Sequence, residues 1–185
     1  DDNNYVRFGV NNFSPNYFYG TLDDVRIFNS AVSADYIANE LYIKKQLQFH
    51  FDQNSGNMAN DSSGNQRNGL LVNGPTWQAN GRKKGCLAFD GIDDYINIPD
   101  YIGITGGASR TCTAWIKATK ATGQIFNWGT SNSGERWVVR TDITGTLRVD
   151  ISVGYIFGTT VITDDNWHHI ATVLDNDGTP DVSEI

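Results

Sequence analysis

Short runs rich in β-branched and aromatic residues recur along the chain, separated by Gly, Asn, Asp and Ser, and they predict strands rather than helices. The pattern is sharpest at residues 47–52, where Leu47, Phe49 and Phe51 alternate with Gln48, His50 and Asp52 and so share one face. Comparable runs occupy residues 5–10, 22–28, 70–72, 75–77, 86–89, 95–98, 112–117, 124–127, 136–140, 147–151 and 167–174. A single helical turn or two is expected near residues 33–42, with Ser33 as N-cap. Strands of this length with turn residues at near-regular intervals predict an all-β fold, an antiparallel β-sandwich with that one short helix.

Composition sharpens this picture. Among 185 residues there are 19 glycines, aromatics make up 12% and charged residues only 19%, as in all-β chains. A formal charge of −7 argues against nucleic acid as partner. No run approaches the roughly 18 apolar residues of a membrane span, so membrane insertion is not expected. The basic cluster Arg82-Lys83-Lys84 falls in a glycine-bounded turn and reads as solvated. Cys86 and Cys112 both fall in strands. A disulfide between them would contribute about 3 kcal/mol on the chain-entropy model, and two buried thiols are the equal alternative.

Catalytic chemistry finds no foothold. The three glutamates are Glu40 in the helical segment, Glu135 in a turn and Glu184 at the end. His168 and His169 are consecutive in a strand, so they point to opposite faces and cannot chelate one ion together. His169 is expected inside the sandwich with Trp167 and Ala171, and His50 near the surface. The loop at residues 61–69 offers carboxylate, amide and backbone oxygens of the kind calcium takes. An Asx-turn without metal explains the same residues. Asp90, Asp93 and Asp94 read as a hairpin turn, with a second ion as the lesser alternative. For glycan binding, the useful groups are exposed rings beside planar polar groups. The candidates are Tyr17, Tyr19, Trp128 beside Asn127, Arg136 and Tyr155, whereas Trp77, Trp115 and Trp167 are assigned to the interior.

Several stretches together resemble laminin-G-like domains of the concanavalin A-like lectin/glucanase jelly rolls. Residues 20–29, running into 30–37, resemble the family's closing strand and exit helix. From Leu47 onward the resemblance runs through Phe51-Asp52, Asp61-Ser62-Ser63-Gly64-Asn65, Phe89-Asp90-Gly91-Ile92-Asp93-Asp94-Tyr95, Thr113-Ala114-Trp115-Ile116-Lys117 and Asn166-Trp167-His168-His169-Ile170-Ala171. The resemblance implies a permuted order. Residues 1–45 correspond to the closing strands and exit helix, and residues 46–185 to the opening and middle, short of one strand or hairpin after residue 185. Three arrangements would cover the exposed edges: a circular permutant, a strand-exchanged polymer, or a window across a tandem array.

The resemblance further implies a structural calcium held by Asp61, Asn65 and Asn68 with Asp23 or Asp24. It implies a secreted or cell-surface location as well. Retaining glucanases need two carboxylates about 5 Å apart, and no strand here carries a Glu–Glu or Glu–Asp pair at even spacing. The expected role is therefore a non-catalytic extracellular module for carbohydrate binding or adhesion. The alternative is a repeat of an extracellular fibre, its partners being other copies of itself.

Overall fold

The computed structural model describes residues 5–10, 16–33, 37, 45–130, 132, 135–151 and 154–175. Its strands are β1 (Val6–Phe8), β2 (Tyr19–Phe28), β3 (Lys45–Phe49), β4 (Met58–Ala59), β5 (Gly69–Val72), β6 (Thr76–Lys83) and β7 (Gly85–Asp90), then β8 (Tyr95–Ile98), β9 (Arg110–Ala118), β10 (Gln124–Trp128), β11 (Trp137–Thr141), β12 (Thr146–Ile151), β13 (Gly154–Val161) and β14 (His168–Leu174). They form two antiparallel sheets. The eight-stranded sheet runs β13-β12-β11-β10-β1-β8-β5-β4, and the six-stranded sheet runs β14-β9-β2-β7-β6 with β3 also paired to β2. The fold is the all-β sandwich the strand pattern predicts. Of the expected helix, all but Ser33 and Ile37 lies outside the described residues, and there the Ile37 N–H donates to the Ser33 carbonyl at 3.0 Å.

The first two strands stand in the middle of both sheets. β1 lies between β8 and β10, with Phe8 opposite Ile96 and Phe126. β2 is flanked by β9 on one side and by β7 and then β3 on the other. Alternation explains why β2 tolerates three partners. Leu22, Val25 and Ile27 are fully buried toward the core, and Ile27 meets both Leu47 and Cys112 in register. The register shifts between Asp23 and Arg26, and Asp24 takes a φ of 48°. This bulge restores the apolar face after two successive carboxylates and turns both of them outward.

Between the sheets, Phe8 packs edge-on against Phe49 of the opposite sheet at 5.7 Å and against Phe126 of its own at 6.0 Å. Phe49 in turn stacks on Phe51 at 5.6 Å. Several expectations change at this level. Cys112 faces the core, whereas Cys86, next to inward-facing Leu87, faces out. Both thiols are free, and a sheet separates them. Trp115 and His169 sit opposite each other on the outer face, their rings 5.1 Å apart, and neither lies inside the sandwich. β13 was not expected, because Gly154 and Gly158 interrupt it and its exposed edge position imposes no apolar alternation.

Candidate functional site

The outer face of the six-stranded sheet carries a groove whose lining follows from strand register. Tyr19 stands opposite Asp90, Thr21 opposite both Ala88 and Lys117, Thr76 opposite Ala88, and Gln78 opposite Cys86. With Asn80 these residues line an open cavity of about 620 Å³. Asn73 and Asp94 add to the lining, as do Asp165 and Trp167 from the turn before β14. Tyr19 is 45% exposed. Its seat depends on Gly91, with φ 71°, where a Cβ would fall 2.6 Å from the Tyr19 side chain.

The polar groups are held rather than loose. The Asp94 carboxylate, almost fully buried, accepts the Asp90 N–H at 3.0 Å, and burial raises its pKa. Asp90 accepts the Ile92 N–H at 2.8 Å, which fixes the turn. Lys117, in the same lining, pairs with Asp165 at 3.5 Å. Cys86 lies on the floor. Burial, and then the nearby Asp23 carboxyl, push its thiol up to about 11, so it is not a nucleophile.

Beyond the groove the same face carries Asp23 and Asp24 in contrasting states. Asp23 is fully buried, and burial pushes it up to about 6 although its Oδ2 accepts the Lys83 N–H at 2.8 Å. Its Oδ1 has no hydrogen-bond partner among the described residues. For Asp24 burial also acts upward, but His50 at 3.2 Å and Arg26 at 2.8 Å outweigh it and hold the carboxyl well below the usual range. Arg82 lies 4.6 Å over the Trp115 ring beside them. Asp24 thus belongs to an ion-pair network with Arg26, His50 and Lys83, and neither carboxyl lines the groove.

Of the residues singled out from sequence, Tyr19 lines the groove. Tyr17, half-buried on the approach to β2, does not. Trp128 and Asn127 are corrected, since both are fully buried. The Trp128 indole stacks on Trp137 at 6.0 Å and donates to the Ile104 carbonyl at 2.8 Å, and the Asn127 amide donates to the Val10 carbonyl. They cannot meet a ligand. Tyr155 lies on the other sheet, on β13, and half-buried Arg136 directly precedes β11. Trp167, Asn73, Gln78, Asn80 and Lys117 were missed. The polar residues of β6 at every second position, Thr76, Gln78 and Asn80, are the signal that could have found the groove.

The calcium candidates do not fit an ion. Asp61 accepts from the Gln48 and Ser63 N–H groups on one oxygen, and from the Arg67 N–H and the Ser63 hydroxyl on the other, all within 3.0 Å. Those four donors occupy the roughly four lone-pair sites of a carboxylate. Asn68 accepts the Asp61 N–H, and Asn65 donates to the Lys45 and Gln46 carbonyls. The loop is an Asx-turn that pins β3, and Asp24 is already paired with Arg26, His50 and Lys83. Among the described residues, Asp90, Asp93 and Asp94 are the acidic group whose oxygens converge, within 4.8 Å of one another.

A laminin-G family model, described as the concanavalin A-like lectin/glucanases superfamily, matches residues 90–182, just over half of the chain. Neither the curated proteins nor the solved structures yield a match.

Proposed function

The chain belongs to the concanavalin A-like lectin/glucanases superfamily, and from that premise we propose a non-catalytic, extracellular carbohydrate-binding module whose sugar site is the groove on the six-stranded sheet. One observation carries the reading: two rings, Tyr19 and Trp167, share an open cavity with the planar amides of Asn73, Gln78 and Asn80 and the carboxylate of Asp90. A sugar presents an apolar C–H face and a rim of hydroxyls, and this lining offers a counterpart to each. With Asp90, Asp94 and Asp165 set against Lys117, the groove suits neutral sugars and repels acidic ones. Adhesion is the corresponding biological role. No helix among the described residues is long and apolar enough to cross a membrane.

Strand complementation between copies is the second reading. Since β1 and β2 complete the middle of each sheet within the single chain, it would require these two strands to exchange between copies. A neutral-glycan array probed with the intact chain tests the first reading, followed by titration of the best ligand into Tyr19→Ala and Gln78→Ala. Each variant is expected to weaken binding about tenfold, the equivalent of roughly 1.4 kcal/mol. Binding to no glycan, or unchanged affinity in both variants, would overturn it.

A further inference from the structure

The opposite face of the molecule carries different chemistry. On the outer side of the eight-stranded sheet, one cross-strand row reads Arg7, Asn127, Val138, Asp150, Tyr155, and the next reads Gln124, Arg140, Arg148, Phe157. At the β13 end, Tyr155 and Phe157 remain 59% and 46% exposed with ring centroids 5.2 Å apart. The Arg148 guanidinium lies 4.2 Å from the first ring and 5.1 Å from the second. The buried Asp150 carboxylate accepts from Arg140 Nε at 2.7 Å and from Arg148 Nη2 at 2.6 Å.

One carboxylate therefore serves two guanidiniums, which leaves this patch positive on a chain of formal charge −7. Both terminal nitrogens of Arg140 and Nη1 of Arg148 donate to no protein atom among the described residues. Two exposed rings set edge-to-face at 66° and flanked by free guanidinium donors form a cornered shelf, suited to a ligand with an apolar face for one ring and an anionic group at its edge.

We infer that the β11–β13 face is a second binding site, independent of the groove, for a carboxylate-bearing sugar such as a hexuronate. The sugar ring stacks on Tyr155, with Phe157 standing at 66° to it as a side wall, and its carboxylate takes the unused N–H groups of Arg140 and Arg148 as charge-assisted hydrogen bonds. Asp150 keeps both arginines extended over the sheet, so the donors are in place before the ligand arrives. The chain's net negative charge disfavours a polyphosphate such as nucleic acid, whose affinity needs many cations.

The test titrates the intact chain with tetragalacturonate and with the same oligosaccharide after carboxyl reduction, at low and moderate salt. Tetragalacturonate is expected to bind in a salt-sensitive way, at least about tenfold tighter than the reduced sugar. Arg140→Gln and Tyr155→Ala should each weaken it about tenfold, and Tyr19→Ala should leave it unchanged. Arg140→Gln retains the Arg148–Asp150 pair, so it keeps the experiment decisive if Arg148→Gln disturbs folding. The inference is overturned by equal binding of the reduced sugar, by no binding at millimolar ligand, by loss in Tyr19→Ala but not in the β11–β13 variants, or by preference for single-stranded nucleic acid. Because the groove is tested with neutral glycans, failure of one site leaves the other standing.

Discussion

The groove and the β11–β13 shelf differ in where their strands lie as much as in charge. The groove is built on β2, which has partners along both edges and sends Leu22, Val25 and Ile27 into the core from the same ten residues that present Tyr19 and Thr21. The shelf is built on β13, which ends its sheet and pairs only with β12 among the described residues. Ligand chemistry at the centre is tied to the stability of the sandwich, and at the edge it is nearly free of it. Substitutions near the two ends of this scale should therefore diverge strongly.

The largest effect is expected at the centre. Phe8→Ala removes the ring that joins Phe49 across the sandwich to Phe126 within its sheet. It should cost about 3–5 kcal/mol in denaturant unfolding and abolish binding at both sites with it. A loss under about 1 kcal/mol would mean that β1 does not occupy the centre.

Next comes the buried carboxylate of β2. Asp23 sits near 6 in the folded protein against an ordinary 3.8. Below that lower value both states hold the proton and the group contributes fully. As pH rises from about 4 to 6 the unfolded chain releases its proton first, so this contribution is lost as pH rises through the folded pKa. The stability difference between wild type and Asp23→Asn should thus move against the wild type by on the order of 2 kcal/mol from pH 4 to 7. Urea melts of both proteins across that range check it, and a constant difference refutes the assignment.

The Asp61 turn gives a smaller effect with a clean control. Asp61→Ala leaves the N–H groups of Gln48, Ser63 and Arg67 without their acceptor and should cost about 1–3 kcal/mol. Chelation should change nothing, because those donors take the oxygens an ion would need. A fall in Tm of about 4 °C or more on adding EDTA, the equivalent of roughly 1 kcal/mol, would restore calcium to the loop.

The same contrast between centre and edge explains what could be read from the sequence. Central strands are buried on one face, so Leu22 and Ile27, or Leu47 and Phe49, announce themselves by alternation, and the family model matches the jelly-roll reading over residues 90–182 of the chain. β13 has no face it must bury, and nothing in its pattern separated Tyr155 and Phe157 from loop residues. Trp128 misled for the converse reason. Beside Gly129 and a polar turn it resembles a loop aromatic, yet only tertiary packing against Trp137 shows that its ring is inside. Groove residues were only half legible: the polar alternation of Thr76, Gln78 and Asn80 marks one face of β6, but that this face lies beside β7 is a property of topology rather than of local sequence.

The smallest expected effect is at the edge. Phe157→Ala removes a ring that is 46% exposed and opposes Arg148, on a strand with a single neighbour among the described residues. Cross-strand pairs of this kind contribute roughly 0.2–1 kcal/mol, so its Tm should fall by only a few degrees while neutral-sugar binding in the groove is untouched. A loss rivalling that of Phe8→Ala would make β13 part of the structural core. Tyr155 and Arg148 would then be packing elements, and the division between a stabilising centre and a ligand-bearing edge would have to be abandoned.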